Sequence, residues 1–176
     1  PVVVLREPPD STRLHWVAMD NFQIGLDATR YLLKLGHRHI GCLISEPLTQ
    51  VQLAERVTGW RTALQEAGID SQDMLYSSET PLYEDPIVYS YDYLKDALPL
   101  ADRQPPPFTA CFCPGWPSAW ALHRHLQDHD LSVPEDMSII AGSEKETYLS
   151  FAPVPLTGYH VDLDHLGRVF LKILDH

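Results

Sequence analysis

The chain has 176 residues, 44% of them hydrophobic and 21% charged, the balance of a soluble globular domain or of two small lobes. A formal net charge of −11 disfavours direct binding to a phosphate backbone, which needs clustered Lys and Arg. No apolar run is long enough to cross a bilayer, so no membrane partner is expected.

Residues 1–5, Pro-Val-Val-Val-Leu, read as a strand entered in mid-fold, so a fragment is expected. They lack the basic flank and cleavage site of a signal peptide. Residues 6–13 form a polar loop with two prolines, and residues 15–19 a second strand leading to Asp20-Asn21. A helix follows, with Ile24, Ala28, Tyr31, Leu32 and Leu35 on one face. Gly36 stands where a helix stops in the left-handed conformation. Ile40-Gly41-Cys42-Leu43-Ile44 is apolar without alternation, as a strand covered on both faces requires.

The next helix carries Leu53, Val57, Trp60 and Leu64 on one face and ends at Gly68. A weak strand spans residues 73–77. Asp85-Pro86 starts a helix, a capping carboxylate followed by proline in the first turn, with Ile87, Tyr91, Leu94 and Leu98 continuing it. Residues 99–107, with three consecutive prolines, form a surface loop. Residues 108–113 read as a buried strand, and Pro117 opens a helix with Ala119, Leu122 and Leu126. Residues 137–141 and 156–161 are the last strands. Asp162 caps a final helix with Leu166, Val169, Phe170 and Ile173 inward.

This alternation of strand and helix implies an α/β fold with a parallel sheet and helices on both faces. Ligands of such sheets bind outside the carboxyl ends of the strands, so the residues after Ile44, Cys113 and Ile140 are the ones to inspect.

Several phrases are more specific than the pattern. Asp20-Asn21, an amphipathic helix, then Leu35-Gly36-His37-Arg38-His39-Ile40 resembles the effector-binding core of bacterial lactose/galactose-repressor (LacI/GalR) regulators. Arg56-Val57-Thr58-Gly59-Trp60 resembles the family's Arg-x-x-Gly-aromatic helix, and Phe108-Thr109-Ala110 its Thr-Ala strand. Val133-Pro134-Glu135-Asp136-Met137-Ser138 resembles its Val-Pro-x-Asp-hydrophobic-Ser turn. Pro155-Leu156-Thr157 and Leu166-Gly167-Arg168 resemble its closing motifs.

The resemblance implies a periplasmic-binding-protein-like fold of two lobes with a small effector in the cleft. Residues 1–19 would end the N-terminal lobe, residues 20–155 would form the C-terminal lobe, and residues 156–176 would be a crossover and an N-terminal-lobe helix. It further implies a cytoplasmic homodimer that reads DNA only through a helix-turn-helix headpiece absent from this chain. The implied ligand is a sugar or related polar metabolite, with no cofactor.

Arg56 falls where the family's effector-binding arginine lies; otherwise it is a helix arginine near Glu55. Arg6 stands at a position often acidic in sugar binders; otherwise it is a solvated loop charge. After the Thr-Ala strand the family has Asn-Asp, whereas this chain has Gly115-Trp116, and Trp116 either stacks on a ligand or packs beneath a loop. After the Ile139-Ile140 strand, Ser143 or Glu144 stands where the family has a carboxylate. Tyr83 lies in a loop where the family often places an aromatic.

Other chemistry has weak signals. Cys42, Cys111 and Cys113 read as buried, reduced thiols, and Cys111 and Cys113 lack a second ligand pair for zinc. His125 and His129 have metal-ligand spacing without a third ligand, and read as a solvated helix face. His37 and His39 read as structural. Neither a phosphate loop nor a nucleophile elbow is present, so no enzyme of flavodoxin-like or Rossmann type is expected. The competing reading is a periplasmic sugar-binding protein of a transport system, which shares the fold.

Overall fold

The structure is a computed structural model that describes residues 3–4, 15–78, 86–101, 104, 106–143, 155–160 and 162–174. Its elements, in chain order, are β1 (Val3–Val4), β2 (His15–Trp16), α1 (Asn21–Lys34), β3 (Ile40–Ile44), α2 (Val51–Glu66), β4 (Leu75–Ser77), α3 (Pro86–Ala97), β5 (Ala110–Cys113), α4 (Trp116–Gln127), β6 (Ser138–Ser143), β7 (Thr157–His160) and α5 (Leu163–Leu174). The expected strands and helices are present, but β2 stops at Trp16 rather than residue 19, and β4, β5, β6 and β7 start one or two residues later than expected. β5 begins at Ala110 rather than residue 108, and β6 runs on past Ala141 to Ser143.

β3 to β7 form one five-stranded sheet in the order β4-β3-β5-β6-β7, and every pair is parallel. β1 and β2 pair, also in parallel, in a separate two-stranded sheet. β3, β4, β5 and β6 are joined in turn through α2, α3 and α4, and apolar cores lie on both sheet faces. Successive residues of a strand point to opposite faces. Ile40, Cys42, Ile44, Ala110, Phe112 and Ile140 therefore face α1 and α2, in a core closed by Leu32, Trp60 and Leu64. Leu43, Cys111, Cys113, Ile139 and Ala141 face α3 and α4, against Leu94, Leu98, Leu122 and Leu126. Both faces of β3 and β5 are covered, which is why their sequences do not alternate.

The helix ends follow their local chemistry. The Asp20 side chain accepts from the Gln23 amide at 2.8 Å and caps α1. Gly36, at φ 99°, ends α1 in the left-handed region, and the His37 amide reaches back to the Leu32 carbonyl at 3.2 Å.

The buried face of α1 differs from the expected stripe. Ala28 and Leu32 are buried, but Tyr31 and Leu35 are 46% and 58% exposed. The helix is turned toward Gly25, Leu26 and Thr29 because α2 lies against that side. A Cβ on Gly25 would overlap the Arg56 carbonyl, and one on Gly59 would overlap that of Phe22. Hydrophobic periodicity does not see a contact made by glycine. In α5 the expected inward residues Leu166, Val169, Phe170 and Ile173 are half-buried, and the helix has no fully buried residue.

Candidate ligand-binding site

α1 precedes β3 in the chain and returns along the sheet, so its first turn lies at the carboxyl ends of the strands. α2 leaves the carboxyl end of β3, so its first turns lie there too. The glycine contact between the two helices brings Asn21 and Arg56 together at this end. Arg56 is 6% exposed and Asn21 4%. The Arg56 Nε donates to Asn21 Oδ1 at 2.9 Å, and Nη1 donates to the Pro114 carbonyl at 2.6 Å, one residue past β5. The Asn21 Nδ2 donates to the Met19 carbonyl at 3.2 Å and to Glu55 Oε2 at 3.3 Å. A buried guanidinium is thus oriented by one carboxamide and one backbone carbonyl, with a carboxylate sharing the carboxamide. Those two bonds use only part of its donor set.

Trp116 opens α4, two residues past the Pro114 that Arg56 holds, so the structure brings these two expected residues to the same strand end. Its ring is half-buried and meets Trp120 edge-on, centroids 5.6 Å apart. Ser143 is the last residue of β6, paired with His160 of β7, one strand over from β5. Arg6, Tyr83 and Glu144 lie outside the described residues.

Beside this group lies a buried serine cluster that the sequence reading missed. Ser45, immediately past β3, holds Ser90 of α3 at 2.5 Å and Ser118 of α4 at 2.9 Å through their hydroxyls. Its amide also donates to Ser118 Oγ at 3.2 Å. The cluster fixes the first turns of α3 and α4 against the end of β3. Single serines far apart in sequence carry no signal of it.

The cysteines are buried and free, and Cys111 and Cys113 share a strand face with their sulfurs 3.9 Å apart. Burial pushes the Cys42 and Cys113 thiols well above their ordinary value, which leaves them poor nucleophiles. His37 does join helix to strand, its Nδ1 lying 2.9 Å from Thr109 Oγ1. The solvated face expected at His125 is not found: its ring is 2% exposed, between α3 and α4. Nε2 donates to the Leu98 carbonyl at 2.9 Å, Nδ1 has no partner, and burial lowers the pKa. The expected solvated face is covered because α3 packs on that side of α4. Among the described residues, no group of three or more His, Cys, Asp or Glu could hold a metal. No helix among them is long and apolar enough to cross a membrane.

A cavity of about 660 Å³ lies elsewhere, between α1, β7 and α5, lined by Met19, Ile24, Tyr31, Tyr159, Leu166 and Val169 among others. Its walls are largely apolar, with Asp20, Asp27, Asp162 and His165 among the lining residues. The strand-end group is the better candidate for a polar ligand, because there a buried cation is held in a fixed orientation.

A doubly wound parallel sheet with polar groups gathered past its strand ends is the framework of a small-molecule-binding domain. The family model of the periplasmic binding protein-like domain matches residues 29–176. The HTH-type transcriptional repressor PurR of Vibrio atlanticus (strain LGP32) is 30% identical over 174 residues, covering 99% of this chain and 49% of the relative. The ribose operon repressor of Escherichia coli (strain K12) is 30% identical over 158 residues, 89% of this chain and 45% of the relative. The crystal structure of a LacI family transcriptional regulator from Enterococcus faecium with bound ribose superposes with a TM-score of 0.77 at 25% identity, covering 99% of this chain and 60% of that chain. The chain belongs to the periplasmic-binding-protein-like domain family, and its domain is of the effector-binding type found in LacI/GalR regulators. It spans about half the length of the curated relatives it matches.

Proposed function

We propose that this chain is the ligand-sensing part of a transcriptional regulator, binding a small polar effector at the carboxyl ends of β3, β5 and β6. The observation that carries the reading is the Arg56 guanidinium, buried there and oriented by Asn21 and Pro114, with donors left for hydroxyl or carboxylate oxygens. Trp116 offers an aromatic surface two residues from the carbonyl that Arg56 holds, suited to a pyranose or other flat face. Ser143, Glu144, Arg6 and Tyr83 complete the proposed contacts.

The relatives favour a sugar-like ligand, since one similar structure contains ribose. They favour regulation over transport, since the curated relatives are repressors. In this reading residues 1–19 close the N-terminal lobe, residues 20–155 form the C-terminal lobe, and residues 156–176 cross back. The separate β1–β2 sheet, with α5 lying against β1, supports that division. The assembly is a cytoplasmic homodimer that touches DNA through a headpiece outside this chain. The effector works by binding one lobe arrangement better than another. A gel shift with the full-length protein tests this: ribose, or another polar metabolite from a panel, should change operator affinity. Operator binding indifferent to every ligand that binds the protein would refute it.

A further inference from the structure

We infer that Asn21 is a positioning residue that couples the Arg56 site to the segment joining the small β1–β2 sheet to the main sheet. The inference rests on the reading of Arg56 as a ligand contact, and extends it to how occupancy of the site is passed on.

The geometry carries it. Residues 17–20 connect β2, in the small sheet, to α1, which packs on the large one. Asn21 is the first residue after that connection. Its two side-chain ends point to different parts of the structure. Oδ1 accepts from Arg56 Nε of α2. Nδ2 donates back to the Met19 carbonyl in the connection, and to Glu55 of α2. The Asn21 amide donates to the same Met19 carbonyl at 3.0 Å, so this carbonyl is held twice by one residue. Arg56 in turn holds the Pro114 carbonyl between β5 and α4.

One carboxamide therefore links the connection, both helices of one sheet face and the β5–α4 turn. It is 4% exposed, so water does not readily replace a bond it loses. A carboxamide is suited to the task because it presents an acceptor and a donor on one rigid plane. An Asp at this position keeps the acceptor for Arg56 and loses the donor for Met19. A guanidinium drawn toward a ligand pulls on Oδ1, and the plane of the carboxamide turns the pull into a change at Met19. The connection is then the hinge whose setting follows Arg56.

Hydrogen–deuterium exchange on the full-length protein tests this without a ligand. Arg56→Lys removes the Nε donor that Asn21 accepts. It should speed exchange in a peptide covering residues 17–24 roughly ten-fold, the effect of losing a buried bond to a charged group. In the Asn21→Asp background, which keeps the acceptor for Arg56 and the backbone bond to Met19 but loses the side-chain bond to it, Arg56→Lys should leave that peptide unchanged while still loosening residues 113–116. Unchanged exchange at residues 17–24 in Arg56→Lys alone, or additive effects in the two backgrounds, would overturn the coupling. Failure of the ligand reading is seen separately, as a wild-type protein that binds neither ribose nor any other polar metabolite by calorimetry.

Discussion

Gly25 of α1 stands directly against the backbone of Arg56 in α2, so close that a single methyl group would overlap the Arg56 carbonyl oxygen. Gly59 makes the reciprocal contact with Phe22. The neighbour is backbone in both cases and cannot rotate away. Gly25→Ala should therefore force the helices apart and cost about 1–3 kcal/mol, despite roughly 1 kcal/mol gained in helix propensity. Gly167→Ala in α5, where a Cβ meets nothing within 4 Å, should be neutral or mildly stabilising. Urea denaturation midpoints separate the two, and equal midpoints would mean that the helix crossing is looser than described.

Trp60 is fully buried, and its Nε1 donates to the Ile40 carbonyl at 3.2 Å, tying α2 to the start of β3. Trp60→Phe keeps most of the apolar area but strands that carbonyl, at about 1–3 kcal/mol. Trp60→Ala also opens a cavity and should cost about 3–5 kcal/mol. Comparable losses for the two would assign the stability to the hydrogen bond rather than to packing.

Acid should destabilise the fold through His37, His123 and His125. Burial holds His37, His123 and His125 below their ordinary value near 6.5. Below that value the unfolded chain takes up protons that the folded chain refuses. Their contribution is thus complete above about pH 6.5 and is lost as the pH falls toward their folded values. His125 is the sharpest case, because a proton on its Nδ1 would find no acceptor. His125→Gln keeps a donor for the Leu98 carbonyl but cannot titrate, so its melting temperature should fall less than the wild type's between about pH 7 and pH 5. Parallel declines would remove His125 from the acid response.

The sheet was legible in the sequence because two-sided burial leaves unbroken apolar runs at Ile40–Ile44 and Ala110–Cys113. The helix ends were legible from Asp20 and Gly36, since capping is local. Arg56 was found only through resemblance. Its partners Asn21 and Pro114 are 35 and 58 residues away in sequence, and no local pattern announces such bonds. The outward turn of Tyr31 and the burial of His125 were missed for a common reason. Which side of a helix is covered depends on a neighbour, here Gly25 and Gly59 for one helix and α3 for the other.

Calorimetry of the full-length protein against sugars, nucleosides and small acids tests the placement of the site most directly, with Arg56→Ala and Trp116→Ala alongside the wild type. Losing a bond to a charged donor costs about 1.5–3 kcal/mol, so Arg56→Ala should weaken binding roughly ten- to hundred-fold, and Trp116→Ala should weaken it too. Since Arg56 also holds Pro114, the variant's fold is checked by its melting temperature, and titrations are run well below it. Tight binding that survives both substitutions would contradict a site at the strand ends.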